Sequence, residues 1–72
     1  MNWDQIKGEW KDLKGKARVN WAKLTDDDLA RIRGNREQLE AAVQKRYGLA
    51  KEDARKQVDT WAQKLKHLIE TR

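Results

Sequence analysis

Trp21-Ala22-Lys23-Leu24-Thr25-Asp26-Asp27-Asp28-Leu29 ends one long amphipathic pattern and begins another. Thr25 has the side chain of a helix N-cap, an oxygen able to accept from the free N–H groups of the turn that follows. Asp28, three residues on, can reach back to the Thr25 N–H as the acidic half of a capping box, and Leu24 and Leu29 fall at the two hydrophobic-staple positions. Three aspartates in the first turn also sit at the positive end of the helix dipole. A helix therefore starts here, and the chain divides around it.

On the N-terminal side, the apolar positions are Trp3, Ile6, Trp10, Leu13, Ala17, Trp21 and Leu24, three or four residues apart throughout. That spacing is one face of a helix. Gly8 and Gly15 lie on the opposite face, where each costs about 1 kcal/mol relative to Ala with nothing nearby to compensate. This first helix is expected to be weak, and either to break near Gly15 or to fray until something covers it.

On the C-terminal side, Leu29 and Ile32 mark a short second helix, with Gly34 where a left-handed terminal residue belongs. Asn35 restarts the pattern as an N-cap, with Gln38 as its capping-box partner, and Leu39, Ala42, Val43 and Tyr47 form the apolar side of a third helix. Gly48 ends that helix and Leu49 folds back on its last turn. The fourth helix begins near Lys51 and Glu52 and carries Ala54, Val58, Trp61, Ala62, Leu65, Leu68 and Ile69 on a narrow arc. It is expected to be the most stable, with Glu52 and Lys56 adding an i,i+4 pair on its exposed side.

Seventy-two residues make one domain, residues 1–72, and so short a chain hides only about 60% of the surface its unfolded form exposes. With 40% charged residues and a mean hydropathy of −1.16, composition alone lies near the border of disorder, so periodicity must supply the core. The absence of cysteine removes disulfides and thiolate metal sites as sources of stability. No apolar run is long enough to span a bilayer, and Met1-Asn2-Trp3-Asp4 lacks the basic start and apolar core of a signal peptide. The expected location is cytoplasmic. A net charge of +5 makes nucleic acid or an anionic membrane a candidate partner, although a small domain also needs net charge for solubility.

The residues read so far include Gly8-Glu9-Trp10, Lys14-Gly15-Lys16, the segment Trp21 to Leu29, Gly34 to Leu39, Gln44-Lys45-Arg46-Tyr47-Gly48, and Lys51 to Ala54 followed by Val58 and Trp61. In order and spacing they resemble the CsbD-like family of small bacterial stress proteins, over residues 3 to 62. The sequence departs from the family at Glu40-Ala41-Ala42, in place of a glycine-containing stretch, and in residues 63 to 72, which lengthen the last helix. The resemblance implies an all-α domain of four to five short helices, packed as two crossed helical hairpins somewhat like a SAM domain, and production under general stress. It implies no reaction, no cofactor and no catalytic residues to carry over.

The chemistry-bearing residues agree. Asp26, Asp27 and Asp28 could suggest a cation site, but consecutive helical residues point apart and the calcium-loop spacing is missing, which favours capping. His67 is the only histidine, expected on the surface, and has no Cys or second His with which to bind zinc. Thr25, Thr60 and Thr71 have no base at a useful spacing, and the glycines form no phosphate loop. Tyr47-Gly48-Leu49 is like the tight turn of helix-hairpin-helix domains without the Gly-x-Gly needed to grip DNA. The best candidate site is Lys7, Lys11, Lys14 and Arg18, spaced 4, 3 and 4 apart beside a tryptophan-bearing face, with Trp3 as its exposed aromatic. Such a stripe suits acidic lipid or a phosphate backbone. Asp4, Glu9 and Asp12 dilute it, which favours a plain reading with Trp10, Trp21 and Trp61 in the core and the lysines in solvent. The expected function is that of a non-enzymatic stress-response protein acting by binding or protection; the alternatives are a nucleic-acid module and a peripheral membrane or partner-binding helix. The chain is expected to be a monomer or a weak homodimer.

Overall fold

The computed structural model describes the backbone of residues 3–70 and the side chains of residues 3–66. His67, Leu68, Ile69 and Thr71, named above, lie outside the described side chains. Five helices follow one another: α1 (Trp3–Gly8), α2 (Trp10–Asn20), α3 (Asp26–Ile32), α4 (Arg36–Tyr47) and α5 (Lys51–Glu70), with no strand among the described residues. The expected all-α domain is what forms.

The α3 start is built as its sequence requires. The Asp28 backbone N–H donates to Thr25 Oγ1 at 3.1 Å, and the Thr25 N–H donates to Asp28 Oδ2 at 3.1 Å, a complete capping box. Leu24 and Leu29 are both buried. At α4, Asn35 Oδ1 accepts from the Gln38 N–H at 3.2 Å. Gly48 closes α4 in the left-handed region at φ 62°, and the Leu49 N–H folds back to Gln44 O at 3.1 Å. Three residues then connect α4 to α5. The two helices pair as an antiparallel hairpin, with Arg36 near the start of α4 reaching Asp59 in the middle of α5.

Tryptophan holds α2 across this hairpin. Trp61 of α5 meets Trp10 edge to face, with centroids 6.2 Å apart and an 81° interplanar angle, and meets Trp21, just past α2, at 5.4 Å and 57°. All three are buried. Burying an indole can also take its N–H from water, and for two of the three the protein supplies the acceptor. Trp10 Nε1–H donates to Leu29 O at 2.8 Å, tying α2 to α3, and Trp21 Nε1–H donates to Gln57 Oε1 at 3.0 Å, tying the end of α2 to α5.

Three expectations need correction. The first helix does break, but at Glu9 (φ −107°, ψ 14°) rather than near Gly15, which lies inside α2 between buried Leu13 and Ala17. The break is explained by where α1 rests. A Cβ at Gly34 would stand 2.7 Å from Lys7 Cα and 3.1 Å from Ile6 O, so the α1 backbone lies directly on that glycine. Gly34 is left-handed as expected (φ 75°), and Arg33 before it shares that conformation at φ 50° as the α3 C-cap. That conformation costs a non-glycine residue on the order of 1 kcal/mol. Secondly, Trp3 is half-buried against the core rather than exposed, with the Arg36 guanidinium 5.9 Å from its ring centroid. Thirdly, among the described residues no ion pair joins Glu52 to Lys56; α5 is anchored instead by Asp59 and by its buried face.

The two helix-face and turn glycines should respond oppositely to alanine. Gly15→Ala meets nothing within 4 Å and should stabilise the protein by about 0.5–1 kcal/mol. Gly34→Ala must displace the α1 backbone at a left-handed position and should destabilise by more than about 2 kcal/mol. Urea denaturation of both variants checks the pair; equal effects would mean that α1 is not seated on Gly34.

Candidate functional site

Lys7 on α1 and Lys11, Lys14 and Arg18 on α2 are all exposed. On α2, the buried Trp10, Leu13 and Ala17 define the inner face, and Lys11, Lys14 and Arg18 follow one flank of it at helical spacing. Their environments differ. Arg18 Nη1 donates to Asp26 Oδ1 at 2.6 Å across the α2–α3 connection, a solvent-exposed pair. Such a pair adds about 0–1 kcal/mol, but it cancels one positive charge of the stripe. Among the described residues Lys7, Lys11 and Lys14 make no ion pair, and the break at Glu9 separates Lys7 from the other two.

The same division holds over the whole described surface. Every ion pair there uses arginine: Arg18 with Asp26, Arg36 with both Glu40 and Asp59, and Arg46 with Asp28. None uses lysine. The planar guanidinium fork can join two elements through defined hydrogen bonds, whereas the ammonium is a strongly hydrated point charge left in solvent. Lys23 lies with its Nζ 5.0 Å from the Tyr47 ring centroid, and its backbone N–H donates to the Tyr47 hydroxyl at 3.2 Å. Tyr47 is thus half-buried, at the outer edge of the expected core.

The aspartates at the α3 start are structural. Asp28 receives the Thr25 N–H and two donations from Arg46, Nε at 2.8 Å and Nη2 at 3.2 Å. The Arg46 hydrogen bonds, followed by the Thr25 backbone N–H, hold the carboxyl down at about 2, well below the usual range, against the opposing effect of burial. Asp26 is taken by Arg18, and Asp27 is exposed with no ion-pair partner among the described residues. No group of three His, Cys, Asp or Glu side chains among the described residues is placed to hold a metal ion.

A second surface was not foreseen from the sequence. Between the C-terminal half of α2 and the middle of α5, two adjoining hollows that share Asn20, Trp61 and Lys64 make up a groove. Lys16, Val19 and Asn20 line it from α2; Lys56, Gln57, Thr60, Trp61, Lys64 and Leu65 line it from α5. Val19 is 86% exposed, the one large hydrophobic so placed among the described residues. Its only trace in the sequence is an apolar residue off the helical stripe, a weak signal because isolated exposed apolar residues are common. The lysine at position 16 is on the opposite flank of α2 from Lys11 and Lys14, so the groove and the stripe are separate surfaces.

Comparison with known proteins agrees with the sequence pattern. The model of the CsbD-like family matches residues 4–56. A UPF0337 protein of Pectobacterium atrosepticum is 56% identical over 61 residues, covering 85% of this chain and 88% of the relative. The UPF0337 protein YjbJ of Escherichia coli K12 is 49% identical over 61 residues with the same coverage. A UPF0337 protein of Rhodopseudomonas palustris is 52% identical over 66 residues, 92% of this chain and the whole of the relative. No described helix is long and apolar enough to cross a membrane.

The depressed Asp28 carboxyl sets a pH dependence with a definite sign. Its folded pKa lies below the unfolded value, so its contribution is complete above about pH 4 and is lost as pH falls through about 2. Asp28→Asn should cost about 2 kcal/mol at neutral pH, through the weakened cap and the lost Arg46 pair. The gap in melting temperature between wild type and variant should close on acidification from pH 5 to pH 2. A gap independent of pH would show that Asp28 does not gain from being charged.

Proposed function

Since the chain belongs to the CsbD-like family, we propose that it is a non-enzymatic stress-response protein that acts by binding, and that its ligand is the phosphate backbone of nucleic acid. The observation carrying this reading is that Lys7, Lys11 and Lys14 are exposed and, among the described residues, without ion pairs, while Arg18, Arg36 and Arg46 are drawn into pairs that join one element to another. Free ammonium groups release counterions from a polyanion and read no base sequence, so the binding is general rather than sequence-specific. General covering of nucleic acid also suits a protective role under stress.

A phosphate backbone is favoured over acidic lipid by where the apolar groups go. An interfacial helix needs a free apolar face beside its cations. In α2 that face is spent on the core through Trp10, Leu13 and Ala17, and Trp3, the natural membrane anchor, is half-buried beside Arg36. Arg18 contributes less than its place in the stripe implies, because Asp26 already holds it.

The test is fluorescence anisotropy with short duplex and single-stranded oligonucleotides over a range of salt. Affinity should fall steeply with salt, and the double variant Lys11→Gln/Lys14→Gln should reduce the log–log slope by about 2, one counterion for each lost contact. Binding that is absent at low salt, or that ignores both salt and the double variant, overturns the proposal.

A further inference from the structure

We propose that the groove between α2 and α5 is a docking site for an acidic peptide segment of a partner protein, one that carries an aliphatic side chain between carboxylates. This inference is independent of nucleic-acid binding, since the groove lies on the other flank of α2 from Lys11 and Lys14.

Three features of the groove define the complement. First, its charge has one sign: Lys16, Lys56 and Lys64 stand along it, none of them in an ion pair, and no carboxylate lines it. Secondly, its polar groups mostly donate. Gln57 Oε1 is already occupied by the Trp21 indole N–H, which leaves the amide N–H groups of Gln57 to face a ligand, and Asn20 adds another side-chain amide. The Thr60 hydroxyl donates to Lys56 O within its own helix. Thirdly, it has an apolar seat, supplied mainly by the exposed Val19, which stands beside the almost wholly buried Trp61 and Leu65. Ammonium and amide donors around an aliphatic hollow are complementary to carboxylates around an aliphatic side chain. From Lys56 to Leu65 the α5 wall runs about 14 Å, the length of about four extended residues.

Other occupants fit less well. A nucleic acid would place bases against this seat, and stacking needs an exposed aromatic face, whereas Trp61 is only 3% exposed. A second copy brings another net charge of +5 to a surface that is already cationic. A bilayer presents a broad plane to a narrow groove between two helices. The apolar seat supplies selectivity, and the lysines at the rim supply rapid, salt-sensitive encounter.

The experiment is a titration of ¹⁵N-labelled full-length protein, followed by amide and side-chain NMR shifts. The probe is a short peptide with one leucine flanked by glutamate and aspartate. The controls are the same peptide with alanine for leucine, the same peptide with lysine for its acidic residues, a single-stranded oligonucleotide, and vesicles containing anionic lipid. Shifts should centre on Val19, Asn20, the Gln57 side-chain amide and the Trp61 indole N–H, and both control peptides should bind much more weakly. Val19→Glu puts a carboxylate into the seat and should weaken binding at least about tenfold; Lys64→Glu should weaken it and reduce its salt dependence. Both positions are exposed, and an unchanged melting temperature confirms that the variants are folded. The proposal is overturned if the probe leaves these resonances unmoved, if the leucine-free peptide binds equally well, or if the oligonucleotide or the vesicles shift the same resonances more strongly than the probe. It is also overturned if the unliganded resonances of the groove move with protein concentration, which would make a second copy the occupant.

Discussion

The packing of Trp61 between Trp10 and Trp21 is the contact on which the rest of this domain depends. A chain of 72 residues with 40% charge has few large apolar side chains, and it concentrates three of them at one crossing. The two indole N–H groups on the α2 side are each satisfied by a different element, Leu29 O in α3 and Gln57 Oε1 in α5. Burial therefore fixes position as well as lowering free energy, because the same ring cannot be buried elsewhere without orphaning its donor. This single junction locates α2 relative to α3 and to the α4–α5 hairpin.

Around that core, three arginines close the structure: Arg46 ties the end of α4 to the α3 cap, Arg36 ties the start of α4 to α5 and lies near Trp3, and Arg18 ties α2 to the α3 start. Among the described residues no lysine is in an ion pair, and neither are Arg31, Arg33 and Arg55. The lysines of α2 lie on two flanks that differ in their surroundings. One flank is purely charged, and the other borders an apolar seat. A small domain with no buried polar or charged residue among those described keeps its chemistry on the outside.

Much of this was legible in the residues. Thr25 and Asp28 announced α3, Gly48 and Leu49 announced the α4–α5 turn, and the spacing of Trp10, Leu13, Ala17, Trp21, Leu24, Leu39, Val43, Ala54, Val58, Trp61 and Leu65 named residues that are buried. These signals are local: caps and turns act within four residues, and a helical face is defined by its own periodicity. The candidate site was legible only in part. Lys7, Lys11, Lys14 and Arg18 were correctly placed on the surface, but nothing in their spacing could reveal that Asp26 holds Arg18 or that Trp3 is drawn in beside Arg36. The groove was hidden for the same reason, since Lys16 and Val19 gain meaning only beside Trp61 and Lys64, more than 40 residues away along the chain.

By itself, then, the sequence determined the helical class, the starts and ends set by caps and glycines, the buried faces and the family, because each rests on side chains that interact within a turn or two. Tertiary structure decided the break at Glu9, the half-burial of Trp3, the arginine pairs that join one helix to another, and the groove between α2 and α5. These depend on contacts between residues farther apart in sequence than a helical turn: Lys7 Cα over Gly34, Arg36 against Asp59, and Val19 beside Trp61. Periodicity states which side of a helix is turned inward; only packing states what it is turned towards.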